Sequence, residues 1–458
     1  MQSKTAEESK SLRTPWTRRA FCNALGLSGI TWALPAYLQT PAQSWPPCTA
    51  AGPAPHQRID AHVHIFNGTD LQIAEFLKTS VTNEHPDLKS LLRLIADPLQ
   101  FFVWRNSPKA QKELDKLNQI AGKSGARSFS EQDFGPALQE DRAETQAHYN
   151  EFLSQQLKRE RVRKELIEII RRSKNKGADP HLTIEALGKA PPRGTERELA
   201  RRFDESSEIP VFDYLEPYFS YRYSNFFELV QQFTCANMSS IDTFVASLID
   251  FDQPLRGGAT TPSTIDDQTK VTSRICELSR GHLLALAPYC PFKDVARKNA
   301  SLANVLQAWK RPGFVGAKMY PPMGFYPYGN EGRLRDGKAI DEALARLYHE
   351  CINSDAVIMA HAGPHMCKTK TPRTTSLHCP YPGRSGWTRA IEHVYDTEHK
   401  PLRVNLGHFG GPFENTSEAL IWTKHFLDLM KKPSGQRLYA DLSYASEVLE
   451  NRSKSRGR

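Results

Sequence analysis

The chain has 458 residues, of which 39% are hydrophobic, and its mean hydropathy is −0.54. This length provides a core for one large domain or two ordinary ones, and the low hydropathy excludes a polytopic membrane protein. The net charge of +9 is spread along the chain among acidic residues, so it does not require a nucleic-acid partner. The eight cysteines include no CxxC pair, which argues against a zinc ribbon or a redox motif.

Residues 1–45 have the order of regions that is typical of an export signal and its linker. Arg18 and Arg19 precede Phe21, and a weakly apolar stretch from Ala24 to Leu34 follows them. The arginine pair resembles a twin-arginine signal, which predicts export of the folded protein to the periplasm. The apolar stretch is too short for a stable membrane span. The alternative is a cytoplasmic protein with a basic leader that has no targeting role.

An alternating segment, Arg58 to Phe66, predicts the first strand, and the region after it predicts helices. Between residues 71 and 230, apolar residues recur at the spacing of amphipathic helices. One of these predicted helices, Phe152 to Arg172, has a basic exposed face. Because glutamates alternate with its bases as ion pairs, we expect a solvated helix and no nucleic acid.

From residue 243 onward, predicted strands alternate with predicted helices. The predicted strands are 243–250, 283–289, 314–320, 356–361, 402–408 and 438–443. The predicted helices are 264–279, 303–309, 340–352, 387–395 and 416–430. With the first strand there are seven strands, which favours a (β/α)8 TIM-type barrel over an open six-stranded sheet. No predicted strand is followed by a GxGxxG or Walker motif, so nucleotide binding has little support.

Several of these predicted strands end in side chains that bind metals or protons. His62 and His64 are two residues apart on the first strand, so they face the same side. His361 and His408 each end an apolar run, and Lys318 is the charged residue of an otherwise apolar strand. A buried charge is costly unless it is paired or used chemically. Together, these strand ends predict a metal-binding active site at the mouth of a barrel.

These segments resemble the amidohydrolase superfamily, in its amidohydrolase-related branch of metal-dependent hydrolases and decarboxylases. The matching segments are 60–64, 314–322, 359–364, 405–411 and 438–443. The resemblance implies that His62, His64 and His361 bind a divalent metal ion; zinc is the expected ion, and the number of ions stays open. It implies that His408 joins these ligands or orients the substrate. Lys318 either binds a substrate anion or is carbamylated to bridge two ions.

One departure from this family concerns the end of the barrel. The family's eighth strand ends in an aspartate that binds the metal and accepts a proton, whereas the sequence after Ser443 has no room for that strand. We therefore expect a barrel over residues 57–458 that lacks its eighth strand, with residues 71–230 as a large helical insertion after strand one. His408 and Asp441 are the candidate catalytic residues that remain for proton transfer.

The predicted function is hydrolysis of a C–N or C–O bond in a small-molecule substrate by metal-activated water. The first alternative is metal-dependent decarboxylation of a small aromatic or unsaturated acid. The second is a truncated, catalytically inactive relative that binds metal or ligand poorly. The sequence leaves the substrate and the oligomeric state open, with a homo-oligomer among the possible assemblies.

Overall fold

The computed structural model describes residues 58–78, 88–172, 215–234, 241–251, 260–362, 384–410 and 416–441. Its centre is a sheet of seven parallel strands that follow one another in chain order. The strands are β1 (Ile59–Val63), β2 (Thr243–Ser247), β3 (Leu283–Tyr289), β4 (Phe314–Met319), β5 (Val357–His361), β6 (Val404–Gly407) and β7 (Leu438–Ala440).

Helices connect these parallel strands, as a parallel sheet requires. Between β1 and β2 the chain forms α1 (Ile73–Phe76), α2 (Lys89–Asn106), α3 (Ala110–Ser124), α4 (Glu131–Leu157), α5 (Glu160–Arg172) and α6 (Arg222–Thr234). After β2 it forms α7 (Ile265–Ser279), α8 (Pro291–Ala296), α9 (Ala300–Trp309), α10 (Gly337–Asn353), α11 (Arg384–Glu398) and α12 (Thr416–Met430). The α/β class and the parallel sheet of the sequence prediction are therefore confirmed.

Both faces of the sheet carry buried side chains. All five residues of β2 are buried, with Phe244 and Ala246 in the large core that the helices share. The alternate residues of neighbouring strands form a second, small apolar cluster around Val245, Leu286 and Met359. Because successive side chains of a strand point to opposite faces, the helices cover one face and the small cluster fills the other.

The sheet is strongly curled. In a flat sheet, the six spacings between β1 and β7 would separate these strands by about 29 Å, at about 4.8 Å for each spacing. His62 of β1 and Asp441, which follows β7, instead have side-chain atoms 3.4 Å apart. The two outer strands of the described sheet thus curve toward each other, which is compatible with a TIM-type barrel that lacks one strand.

The predicted helix over residues 152–172 is wrong in one respect, because the structure contains two helices there. Helix α4 ends at Leu157 and α5 begins at Glu160. Between them, Arg159 donates from Nη1 to the carbonyl oxygen of Leu94 in α2, at 3.0 Å. The turn between the two helices is thus attached to α2, and Val162 and Leu166 of α5 are buried.

The predicted export signal, residues 1–45, lies outside the described residues. Among the helices that are described, none has the length and apolar character needed to cross a membrane. In the described parts of residues 71–230, the predicted helical character is observed in α1 to α6. Whether this helical region is an insertion depends on the resemblance to the amidohydrolase superfamily.

Candidate metal centre

The first strand reaches the site through a β-bulge. Asp60 is paired with Phe244 of β2 and Val63 with Ala246, so β1 uses one residue more than β2 over the same length. The carboxylate of Asp60 accepts a hydrogen bond from the backbone N–H of His62, at 3.0 Å. Bulges beside active sites commonly redirect a side chain. This bulge sets the direction in which His62 leaves the strand.

His62 lies between a cation and a carboxylate. Lys318 Nζ of β4 lies 3.1 Å from His62 Nε2, and Asp441 Oδ2 lies 3.4 Å from His62 Nδ1. Burial and the nearby Lys318 charge lower the pKa of His62. Burial also lowers the pKa of Lys318, to about 7. Because each imidazole nitrogen offers one hydrogen or one lone pair, an ion bound to His62 replaces one of these two contacts.

His64 is held in one tautomer. Its Nδ1 donates to the backbone carbonyl oxygen of Ser247 at the end of β2, at 2.8 Å. Its Nε2 is buried and has no hydrogen-bond partner among the described residues. Burial, and then the charges of His62 and Lys318, hold the pKa of His64 well below its usual range. This is the arrangement in which a metal-binding histidine keeps its second nitrogen ready for the ion.

His361 and His408 form the other side of the site. His408 Nε2 lies 2.9 Å from His361 Nδ1, and His361 Nε2 is buried without a hydrogen-bond partner in the described part of the chain. His408 follows β6 with a φ of +67°, which is uncommon outside glycine. Asp441 Oδ1 accepts from the backbone N–H of His408, at 3.1 Å, and so supports this turn. Residues in this region of backbone space often occur at functional sites.

All six side chains predicted for the site come together at the carboxyl end of the sheet. We call His62, His64, Lys318, His361, His408 and Asp441 the strand-end cluster. The group within it that could hold a metal ion differs from the predicted ligand set of His62, His64 and His361. Among the described residues, His62, His408 and Asp441 form the group whose ligand atoms all lie within 4.8 Å of one another. The ring centroids of His62 and His64 are 5.4 Å apart.

The strand-end cluster has the chemistry that a divalent ion requires. Neutral imidazole and carboxylate are common zinc ligands, with bonds of about 2.1 Å. Two ligand atoms at that distance in a tetrahedral site are about 3.4 Å apart. The contact between His62 Nδ1 and Asp441 Oδ2 has this separation, at 3.4 Å. The buried Nε2 atoms of His64 and His361 offer two further nitrogen ligands.

Sequence reasoning gave no role to three residues that shape the site. Asp60 holds the bulge through the backbone of His62, and Ser247 holds the ring of His64. The ring of Tyr320 lies edge-on to His361, with centroids 5.2 Å apart. Ser247 was missed because the predicted strand ran to residue 250, whereas β2 ends at Ser247. A polar residue at the true strand end is the signal that would have identified it.

No protein-family model, curated protein or solved structure matches this chain. The membership of the amidohydrolase superfamily therefore stays a prediction from the sequence motifs, and the function is inferred from the geometry of the site.

Proposed function

We propose that the chain is a metal-dependent hydrolase of the amidohydrolase type that cleaves a C–N or C–O bond. The observation that supports this proposal is the strand-end cluster. Its buried imidazoles come from three different strand ends and converge with a carboxylate, and two of their nitrogen atoms have no hydrogen-bond partner in the described residues. A buried imidazole nitrogen without a protein partner is a position that a ligand, an ion or a water molecule can fill.

The residues that would hold the ion are those whose ligand atoms lie closest together. His62, His408 and Asp441 would bind it, and His64 or His361 would supply a further nitrogen. A bound divalent ion supplies Lewis acidity and makes water a nucleophile near neutral pH. The carbonyl of Ser247 keeps the proton of His64 on Nδ1, so that Nε2 carries the lone pair.

Two residues of the cluster have roles in proton transfer and substrate binding under this proposal. Asp441, whose Oδ2 lies 3.4 Å from His62 Nδ1, would accept the proton of the attacking water beside the ion. Lys318 has three N–H donors when it is charged, and His62 is its hydrogen-bond partner among the described residues. Its remaining donors suit a carboxylate or a polarised carbonyl oxygen of a substrate. The alternative is that the buried amine of Lys318 is carbamylated. The carbamate would then bridge two ions.

Metal analysis of the purified full chain tests this proposal first. We expect about one equivalent of zinc or a similar divalent ion per chain, and loss of that ion in the double variant His62→Ala and His64→Ala. The control is His349→Ala, which replaces an exposed histidine that contacts Glu398 and none of the cluster residues in the described contacts, and it should keep the metal. Unchanged metal content in the double variant would contradict the site. About two equivalents, with the mass of a carbamate on Lys318, would favour the two-ion form.

Turnover assays then separate the reaction classes. The metal-loaded chain is tested with amides, with esters and lactones, and with aromatic or unsaturated carboxylic acids. Hydrolysis that His361→Ala abolishes supports the proposal. Release of carbon dioxide without hydrolysis would replace it by the decarboxylase alternative. Binding of metal without any turnover of these substrates would favour the inactive relative.

A further inference from the structure

The turn that follows β1 is held by the helices between β1 and β2. This turn, residues 66–70, begins two residues after His64, and we call it the β1 turn. The side-chain amide of Asn225 in α6 donates to the carbonyl oxygen of Phe66, at 3.1 Å. The indole N–H of Trp104 in α2 donates to the carbonyl oxygen of Gly68, at 3.1 Å. The backbone of the turn thus depends on side chains of two helices.

A buried arginine connects the same turn to a third helix. Arg222, only 1% exposed, donates from Nε and Nη2 to the two carboxylate oxygens of Asp70, at 2.9 and 2.5 Å. Its Nη1 donates to Glu113 Oε2 of α3, at 2.8 Å, and its Nη2 also reaches Asn67 Oδ1, at 3.2 Å. The second oxygen of Glu113 accepts from the backbone N–H of Tyr223, at 2.8 Å. We call Arg222, Asp70, Glu113 and Asn67 the Arg222 clamp.

We propose that Arg222 is a positioning residue for the metal centre, and that the helices between β1 and β2 keep His62 and His64 in the orientation that binds the ion. This inference rests on the proposed function, because it assigns a task to the helical region only if the strand-end cluster binds metal.

The geometry of the clamp supports a positioning role. A guanidinium that binds a carboxylate with two parallel hydrogen bonds fixes the direction of the pair as well as its distance. The β1 turn also has no spare volume, because a Cβ atom added at Gly68 would lie 2.3 Å from Val103 Cγ1 of α2. The β1 turn is held by the ion pair of Asp70, by hydrogen bonds to its backbone carbonyls and by close packing at Gly68. These contacts allow little rotation at the end of β1. Metal sites tolerate small ligand displacements poorly, since their residues must converge on one point.

The experiment compares Arg222→Lys with Leu166→Ala in the full chain. The lysine variant keeps the charge and loses the planar fork, whereas Leu166 is a fully buried residue of α5, and its truncation weakens the same helical region without removing a contact of the β1 turn. Three properties are measured: the zinc dissociation constant, the visible spectrum of bound Co²⁺, and hydrogen exchange of residues 59–71. For Arg222→Lys we expect zinc binding to weaken about 10- to 100-fold, a changed cobalt spectrum and faster exchange in that segment.

Leu166→Ala should lower the melting temperature while leaving the zinc affinity and the cobalt spectrum as in the unsubstituted chain. Trp104→Phe provides a second probe that keeps a smaller aromatic side chain and removes the indole N–H that donates to Gly68 and Leu71, and its effects should be smaller and in the same direction as those of Arg222→Lys. This variant decides the question if Arg222→Lys does not fold.

The outcomes separate this inference from the proposed function. Zinc affinity, cobalt spectrum and hydrogen exchange that are unchanged in Arg222→Lys and Trp104→Phe would overturn the positioning role while leaving the metal site intact. Equal weakening of zinc binding by Leu166→Ala would also overturn it, because general destabilisation would then explain the effect. If the unsubstituted chain binds no divalent ion, the proposed function fails and the positioning role falls with it, whatever hydrogen exchange shows about the turn.

Discussion

Two buried polar clusters lie beside the end of β1, and they differ in how many of their buried polar atoms have hydrogen-bond partners. In the Arg222 clamp, every buried side-chain nitrogen and oxygen of Arg222, Asp70 and Glu113 has a hydrogen-bond partner within the described residues. In the strand-end cluster, the Nε2 atoms of His64 and His361 are as deeply buried and have none among those residues. The clamp is complete as protein alone, whereas the strand-end cluster has ligand positions to offer.

This difference separates a structural use of buried polarity from a functional one. A buried ion pair contributes little net stability compared with apolar residues of the same shape, but removing one partner leaves an uncompensated charge. A buried neutral imidazole with a free nitrogen costs stability from the start and is useful only when something binds it. The two clusters should therefore respond to substitution and to metal in opposite ways.

The largest expected effect is that of Arg222→Met, which removes the cation of the clamp and leaves Asp70 and Glu113 buried. We expect a loss of about 3–5 kcal/mol in the free energy of unfolding, measured by denaturant titration of the metal-free chain. Burial already raises the pKa of Glu113, and Arg222 opposes that rise. Without Arg222 the pKa of Glu113 in the folded state should rise further, so that above the usual pKa of a glutamate the folded state holds a proton that the unfolded state has lost, and the variant's stability falls as pH rises through that window.

A loss below about 1 kcal/mol would show that the unpaired carboxylates of Asp70 and Glu113 cost the folded state little. The matched control for deleting a cation is Lys164→Met, which removes an exposed partner of Glu160 on α5. The free energy of unfolding of this variant should equal that of the unsubstituted chain.

The next effect is the response to metal. Zinc at about 100 times its dissociation constant should stabilise the folded chain by about 2.7 kcal/mol, because it binds the folded state through residues from distant parts of the sequence. The melting temperature of the double variant His62→Ala and His64→Ala should not respond to zinc. Equal stabilisation of both proteins would place the ion elsewhere and remove the contrast between the two clusters.

Most of the sheet was predictable from the sequence because its strands and the helices between them have distinct periods. The strand at Leu283–Tyr289 and the helix at Thr416–Met430 were predicted with the bounds that the structure shows. Strand ends were harder, since predicted strand 243–250 runs past the end of β2 at Ser247. The alternating polar and apolar pattern does not report where pairing with the next strand stops.

The residues of the candidate site were predictable, and their contacts were not. His361 and Lys318 stand out because polar residues interrupt apolar strands. That Asp441 lies against His62 follows from the curl of the sheet, which no local pattern encodes. Arg222 is one of many arginines in a polar region, and its partners Asp70 and Glu113 are more than one hundred residues away. Such long-range pairs are visible only in the folded chain.

A smaller effect concerns the packing of the β1 turn. Gly68→Ala places a methyl group 2.3 Å from Val103 Cγ1 and 2.9 Å from Ile73 Cδ1, so we expect a loss of about 1–3 kcal/mol in the free energy of unfolding. The control is Gly122→Ala in α3, where the added group meets nothing within 4 Å outside the neighbouring backbone of its own helix. That substitution should stabilise the chain by about 0.5–1 kcal/mol, because alanine favours a helix interior. Similar values for both variants would show that the turn adapts easily.

The smallest expected effect is also the closest test of the contrast between the clusters. In His64→Asn, the new amide N–H can still donate to the carbonyl oxygen of Ser247, while the unpartnered Nε2 is removed. We expect the free energy of unfolding of the metal-free chain to change by less than about 1 kcal/mol in either direction, since no protein contact of His64 Nε2 is lost. The stabilisation by zinc should decrease in the same variant, because one nitrogen ligand is missing. A loss of stability as large as that of Arg222→Met would instead mean that His64 supports the fold in the way that Arg222 does, and denaturant titrations with and without zinc distinguish these two results.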